Sequence, residues 1–240
     1  MTRHATARLF VALELPAEVR AQLAGWARRC ASSLRTAAFA GEHDPERPAR
    51  GRGKGERGEG GHPGRQRRHG RADARGELRL LHPETLHVTL CFLGERPVGE
   101  IDAIGEALAT VCTEARSLGR LSLGAPLWLP PRRPRALAVE LHDDSGGALH
   151  ALQHSILREL TALCELESDP AAGGRGGGRR FRPHVTVARL RAGDAPRQRA
   201  LPATPALAFA AGAVTLQRSW LSPSGADYEC LSSHALAAQP

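Results

Sequence analysis

The chain has 240 residues, 41% of them hydrophobic, enough for a substantial core in one domain or two small lobes. Basic residues exceed acidic ones by 33 to 25, a formal net charge of +8, and Lys54 is the single lysine. Arginine suits planar, bidentate phosphate recognition, although a GC-rich genome leaves the same bias. Five scattered cysteines (Cys30, Cys91, Cys112, Cys164, Cys230), odd in number and without CxxC spacing, propose neither a disulfide framework nor a zinc site.

Residues 8–15 read as a buried strand ending at Pro16. Pro16 and Ala17 then open a helix to about Arg35, with Val19, Leu23, Trp26 and Leu34 among its apolar positions. Residues 36–76 are expected to be a disordered Arg/Gly-rich insertion. Within it, residues 41–76 hold ten glycines, ten basic and six acidic side chains, and no Val, Ile, Leu, Met, Phe, Tyr or Trp. Such a stretch buries too little apolar surface to offset its ordering entropy. It reads as an RNA-binding arm or as a tolerated surface loop. Residues 77–81 and 86–93 look like strands joined through His82-Pro83-Glu84-Thr85.

Residues 98–118 carry helical spacing at Ile101, Ile104, Leu108 and Val111. Residues 121–129 and 135–141 read as strands around Pro130-Pro131-Arg132-Arg133-Pro134. A long helix is expected over 145–167, with Asp143-Asp144 as its N-terminal signal. His150 and His154 lie four apart on it, but lack a third ligand and read as a solvated face. The glycine-rich 173–178 is a linker, and 213–220 with 227–236 form a closing pair around Pro223-Ser224-Gly225. Helices separated by antiparallel pairs predict an α+β protein, residues 1–240 forming one bilobal domain.

One motif occurs twice. Leu86-His87-Val88-Thr89-Leu90 returns as Pro183-His184-Val185-Thr186-Val187, each copy at a strand start. Residues two apart share a strand face, so His87 projects with Thr89 and His184 with Thr186. Two such pairs across a cleft would offer two proton-transfer groups and two hydroxyl donors, an arrangement suited to an anionic ester. Arg182 shares the face of His184; Arg189 falls on the opposite parity unless a bulge intervenes. Arg8 and Phe10 share one face of the first strand, where Phe10 could meet a base or pack in the core.

On these stretches, with Arg8-Leu9-Phe10-Val11-Ala12-Leu13, Phe92-Leu93-Gly94 and residues 217–229, the chain resembles the two-histidine (2H) phosphoesterase superfamily. Within it, the likeness is to the bacterial RNA 2′,3′-cyclic phosphodiesterase family, historically called 2′-5′ RNA ligase. The resemblance implies two antiparallel sheets, flanked by helices, facing each other across a cleft with internal pseudo-duplication. It implies hydrolysis of RNA 2′,3′-cyclic phosphate ends to 2′-phosphomonoesters, with His87 as proton donor and His184 as acceptor. Thr89, Thr186, Arg182, Arg189 and Phe10 are the expected substrate contacts, Arg189 by that resemblance. No metal or cofactor is required by this chemistry.

Two alternatives stand beside it: the reverse reaction, 2′-5′ RNA ligation, and a non-catalytic module that only holds RNA phosphate. A monomer is expected. The opening Met-Thr-Arg-His lacks the apolar region of a signal peptide, and no window approaches the ~20 apolar residues of a membrane span. Location is therefore expected to be cytoplasmic, with no membrane partner. Excising residues 41–76 behind a short linker should leave melting temperature and turnover of a mononucleotide cyclic phosphate nearly intact. If the segment is an RNA arm, the deletion also weakens binding of longer RNA and flattens its salt dependence; identical slopes would leave only the plain loop.

Overall fold

The computed structural model describes residues 5–40, 78–115, 117–144, 146–164, 181–191, 196, 200–222 and 225–236. The insertion from residue 41 onward and the 173–178 linker lie outside the described residues. Strands β1 (Thr6–Glu14), β2 (Leu78–Leu80), β3 (His87–Pro97), β4 (Arg120–Leu129), β5 (Ala136–Asp143), β6 (His184–Leu190), β7 (Ala208–Ala210), β8 (Ala213–Ser222) and β9 (Gly225–Ala235) alternate with helices α1 (Ala17–Ala40), α2 (Ile101–Glu114) and α3 (Ala148–Leu163). The expected α+β class holds, and no described helix is long and apolar enough to cross a membrane.

The differences from expectation have local causes. α1 runs past Arg35 to Ala40, because Thr36-Ala37-Ala38-Phe39-Ala40 contains three of the best helix formers. α2 follows a 3-10 turn at Val98–Glu100 and stops at Glu114, where Ala115 takes an extended conformation. α3 starts three residues late because Gly146 and Gly147 adopt φ of 72° and 108°, left-handed values outside the helix. Asp143 reaches over them, its Oδ2 accepting the Leu149 N–H at 2.8 Å, so it is the helix signal read from sequence, acting from further back. β7 was not expected; its three residues add to the edge of β4.

The nine described strands form one antiparallel sheet in the order β7-β4-β5-β6-β3-β1-β8-β9, with β2 also on β6. The two lobes are halves of this sheet. They meet at the β3–β6 seam, where Val88 pairs with Val185, both wholly buried. The halves repeat one another. β1–α1–β3 and β5–α3–β6 are each a strand, a helix and a His-Val-Thr strand that returns antiparallel to the first. The helices are exchanged: α1 follows β1 but packs on β2 and β6, whereas α3 follows β5 but packs on β3.

Register carries the repeat to single residues. Ala12, Leu13 and Glu14 face Thr89, Val88 and His87; Ala138, Val139 and Glu140 face Thr186, Val185 and His184. In both halves the register then slips by one, leaving Leu90 and Val187 as extra residues. A bulge takes its residue out of the ladder, and its carbonyl needs another donor. Here Gln153 Nε2 of α3 donates to Leu90 O at 3.3 Å, and Leu81 N donates to Val187 O at 3.0 Å.

Candidate active site

The two motif strands lie side by side, so their histidines and threonines share the open face of the sheet. Continuing the Val88–Val185 pairing antiparallel sets His87 across from Thr186 and Thr89 across from His184. The arrangement is diagonal: each imidazole neighbours the other copy's hydroxyl. All four residues are half-buried, while Val88, Leu90, Val185 and Val187 point into the helix-covered core.

Each imidazole is fixed in the same way. His87 Nδ1 lies 2.8 Å from Thr85 O, and His184 Nδ1 lies 2.8 Å from Arg182 O. A carbonyl oxygen only accepts, so Nδ1 carries hydrogen in both rings and Nε2 is left to exchange protons. The Thr85 carbonyl is itself held by a 3-10 turn, Pro83–Thr85. Thr85 N and Oγ1 both donate to His82 O, and Glu84 pairs with Arg20 of α1 at 2.7 Å. The turn anchors the carbonyl that holds the first ring.

The walls around the two rings differ. His87 sits against Phe10 (ring centroids 5.0 Å apart) and meets Tyr228 edge-on at 5.5 Å, and Phe10 also touches Phe92 and Tyr228. Phe10 is 4% exposed, so of its two readings the structure shows packing beneath the imidazole. Burial pushes the His87 pKa from its ordinary 6.5 down to about 4; the Thr85 carbonyl opposes that shift, while the charges of Arg189 and His184 add to it. Near-neutral pH therefore finds His87 uncharged in the free protein.

Arg189 thus acts electrostatically on His87 despite its sequence parity. The Val187 bulge is the reason: Val187 and Ala188 are both buried, the alternation flips, and Arg189 emerges on the cleft side. Arg182 lies beside His184 as expected, but its Nε donates to Glu140 Oε1 at 2.8 Å, so its charge is already offset. Glu140 stands directly across from His184, and Glu14 directly across from His87.

Sequence reasoning missed Glu14, Glu140 and Tyr228. A second repeat could have revealed the first two: Ala12-Leu13-Glu14-Leu15 recurs as Ala138-Val139-Glu140-Leu141. Nothing local in the sequence marks Tyr228, which reaches His87 only because β8 lies between β9 and β1. His150 serves structure: its Nε2 lies 3.2 Å from Phe181 O and its ring packs edge-on against Phe181, steadying the entry to β6. Among the described residues no three His, Cys, Asp or Glu side chains gather as metal ligands.

Comparison with known proteins places this geometry. The model of the 2′-5′ RNA ligase superfamily matches residues 64–219. The RNA 2′,3′-cyclic phosphodiesterase of Geobacillus stearothermophilus is 27% identical over 165 residues, 67% of this chain and 48% of that protein. The match thus spans about half the length of that curated relative. Among solved structures, TT0787 of Thermus thermophilus superposes with a TM-score of 0.59 at 25% identity, covering 95% of this chain and 97% of that one. E. coli LigT complexed with 3′-AMP gives 0.58 at 20% identity, covering 98% and 100%, a likeness of fold. With the family model spanning well over half its length and both histidine motifs, the chain belongs to the 2′-5′ RNA ligase superfamily.

Proposed function

We propose that the protein hydrolyses the 2′,3′-cyclic phosphate at an RNA end to a 2′-phosphomonoester, with His87 and His184 as a metal-free acid–base pair. The observation that carries this reading is the duplicate tethering of Nδ1, which leaves two Nε2 atoms on one face of the sheet. Displacement at phosphorus is roughly in line, so base and acid stand on opposite sides of the phosphate. One imidazole takes the proton of the attacking water; the other gives a proton to the departing 3′ oxygen. Thr89 and Thr186 donate to the nonbridging oxygens, and Arg189 offsets the charge that develops on them. The relative from Geobacillus stearothermophilus, named for the same reaction, supports this substrate class.

The depressed pKa of His87 adds a condition to the donor role implied by family resemblance. In the free protein His87 is uncharged at neutral pH, so it gains its proton as substrate arrives. The anionic phosphate supplies the favourable charge, because a nearby negative group stabilises the imidazolium.

His87→Ala and His184→Ala should each lower turnover of a cyclic-phosphate-ended oligonucleotide by about 10²–10⁴-fold with little loss of binding. Near-normal turnover in either variant would remove that histidine from the mechanism. Thr89→Val and Thr186→Val keep the strand shape and remove a hydroxyl; turnover should fall by about ten- to a hundredfold, less than for the histidines, with the fold intact. Parent-like rates in both would overturn the hydroxyl contacts.

As proton donor His87 must carry a proton, so the limb it sets in kcat/KM, which reports the free protein, is a loss of activity as pH rises through about 4. The same limb of kcat should lie higher, because bound phosphate raises it; coincident limbs contradict the proton-uptake step. Stability follows the same group. The unfolded chain binds more protons than the fold between His87's ordinary 6.5 and its folded value near 4. The contribution is full above that window and lost as pH falls through it, so His87→Ala should flatten the melting-temperature curve there.

A further inference from the structure

The pairing of β1 with β8 ends at Arg8 and Ser219, although both strands run on. β1 continues to Thr6 with β3 as its partner, and β8 continues to Ser222 with β9. The sheet therefore splits at this end, and backbone groups along the two parting edges lose their ladder partners. The Ser219 hydroxyl closes the foot of the split, donating to Arg8 O at 3.4 Å. A cavity of about 240 Å³ opens there, lined by Arg8 and Glu95 on one side and by Arg218, Ser219 and Trp220 on the other.

Pockets that enclose drug-sized ligands measure ~300–1,000 Å³, so this notch takes one ring system rather than a whole nucleotide. Its broadest apolar surface is Trp220, 42% exposed. Arg218 lies over that ring, its Cζ 4.7 Å from the centroid, which holds the indole in place. An indole face is a stacking platform for a flat heterocycle. The charges of the notch are balanced across strands: Arg8 is directly across from Glu95, and Arg218 directly across from Glu229. A balanced lining gives an anion no net attraction, but it offers donors and acceptors to a neutral, hydrogen-bonding edge. A nucleobase has both the flat face and that edge.

Ser219 is also directly across from Tyr228, whose ring meets His87 edge-on at 5.5 Å. Arg8 lies two residues along β1 from Phe10, roughly 7 Å of strand, and Phe10 packs against His87. The notch thus stands one step outward from the two imidazoles, on the aromatic flank. The geometry points to it as the seat of a nucleobase, that of the nucleotide next to the cyclic end, stacked on Trp220 and read along its edge by Glu95 and the parted backbone. This rests on the cyclic-phosphate reading of the histidine pair. An RNA chain is then favoured over a mononucleotide by its second base rather than by phosphate charge.

The test titrates the full chain with a dinucleotide carrying a 2′-phosphate end, and with the same compound lacking its first base. The intact compound should bind about tenfold more tightly and quench tryptophan emission, which the abasic one should not. The signal is assignable because Trp26 and Trp128 are buried, whereas Trp220 is exposed. In Trp220→Ala the preference for the intact compound should vanish. Trp220→Phe, which keeps a ring, should retain most of it, and covers the case of a poorly folded alanine variant. Equal binding of the two compounds by the unmodified protein overturns the assignment, as does a preference that survives Trp220→Ala. Raising salt should weaken both compounds alike and leave the preference in place, because stacking releases no counterions; a preference that disappears with salt overturns the assignment too. If the unmodified protein leaves a 2′,3′-cyclic phosphate uncut, the proposed activity fails, and the binding preference still decides the base site.

Discussion

The arrangement depends on one contact, the pairing of Val88 with Val185 at the seam. A strand offers its two faces alternately, so fixing one register pair fixes the side on which every neighbour appears. With both valines wholly buried against the helix side, His87, Thr89, His184 and Thr186 must face the cleft. A slip of one residue would bring the valines to the surface and bury four polar groups, at a cost in lost apolar burial and unsatisfied hydrogen bonds. The same packing that stabilises the core therefore sets the relative position of the two imidazoles.

The bulges at Leu90 and Val187 extend this control. Without them, a regular strand would keep Phe92 and Arg189 on the buried side. One extra residue in each strand reverses the alternation, and the carbonyls it frees are bonded by Gln153 and Leu81. The bulges thus let a strand that begins with the polar groups of the candidate site go on to supply a wall. The wall then differs between the halves, aromatic beside His87 and cationic beyond His184, while the tethering of the rings is the same in both.

Much of this was legible in the sequence, because the strand period is short and the motif repeats. The His-x-Thr pairs, the α+β class and the order of long helices follow from patterns confined to a few residues. The placement of Arg189 was not legible, because parity counting assumes a regular strand and a bulge depends on the partner strand. Tyr228 was hidden for a related reason: it joins the site through two intervening strand pairings. The early end of α2 and the late start of α3 show the limit of apolar periodicity, which continues past the residues where backbone conformation changes. Gly146 and Gly147 displace the start of α3, whereas Asp143 still caps it from outside.

The exchange of helices between the halves has a consequence for how the chain is made. α1 is complete early in synthesis, yet the strand it covers, β6, lies near the other end of the sequence. Val19, Leu23 and Trp26 are nearly or wholly buried in the finished fold, and the cover over α1 is complete only once β6 has emerged. Each half thus draws part of its helix cover from the other. The nascent chain therefore carries an open apolar helix face through most of its elongation, a state exposed to aggregation and suited to chaperone binding.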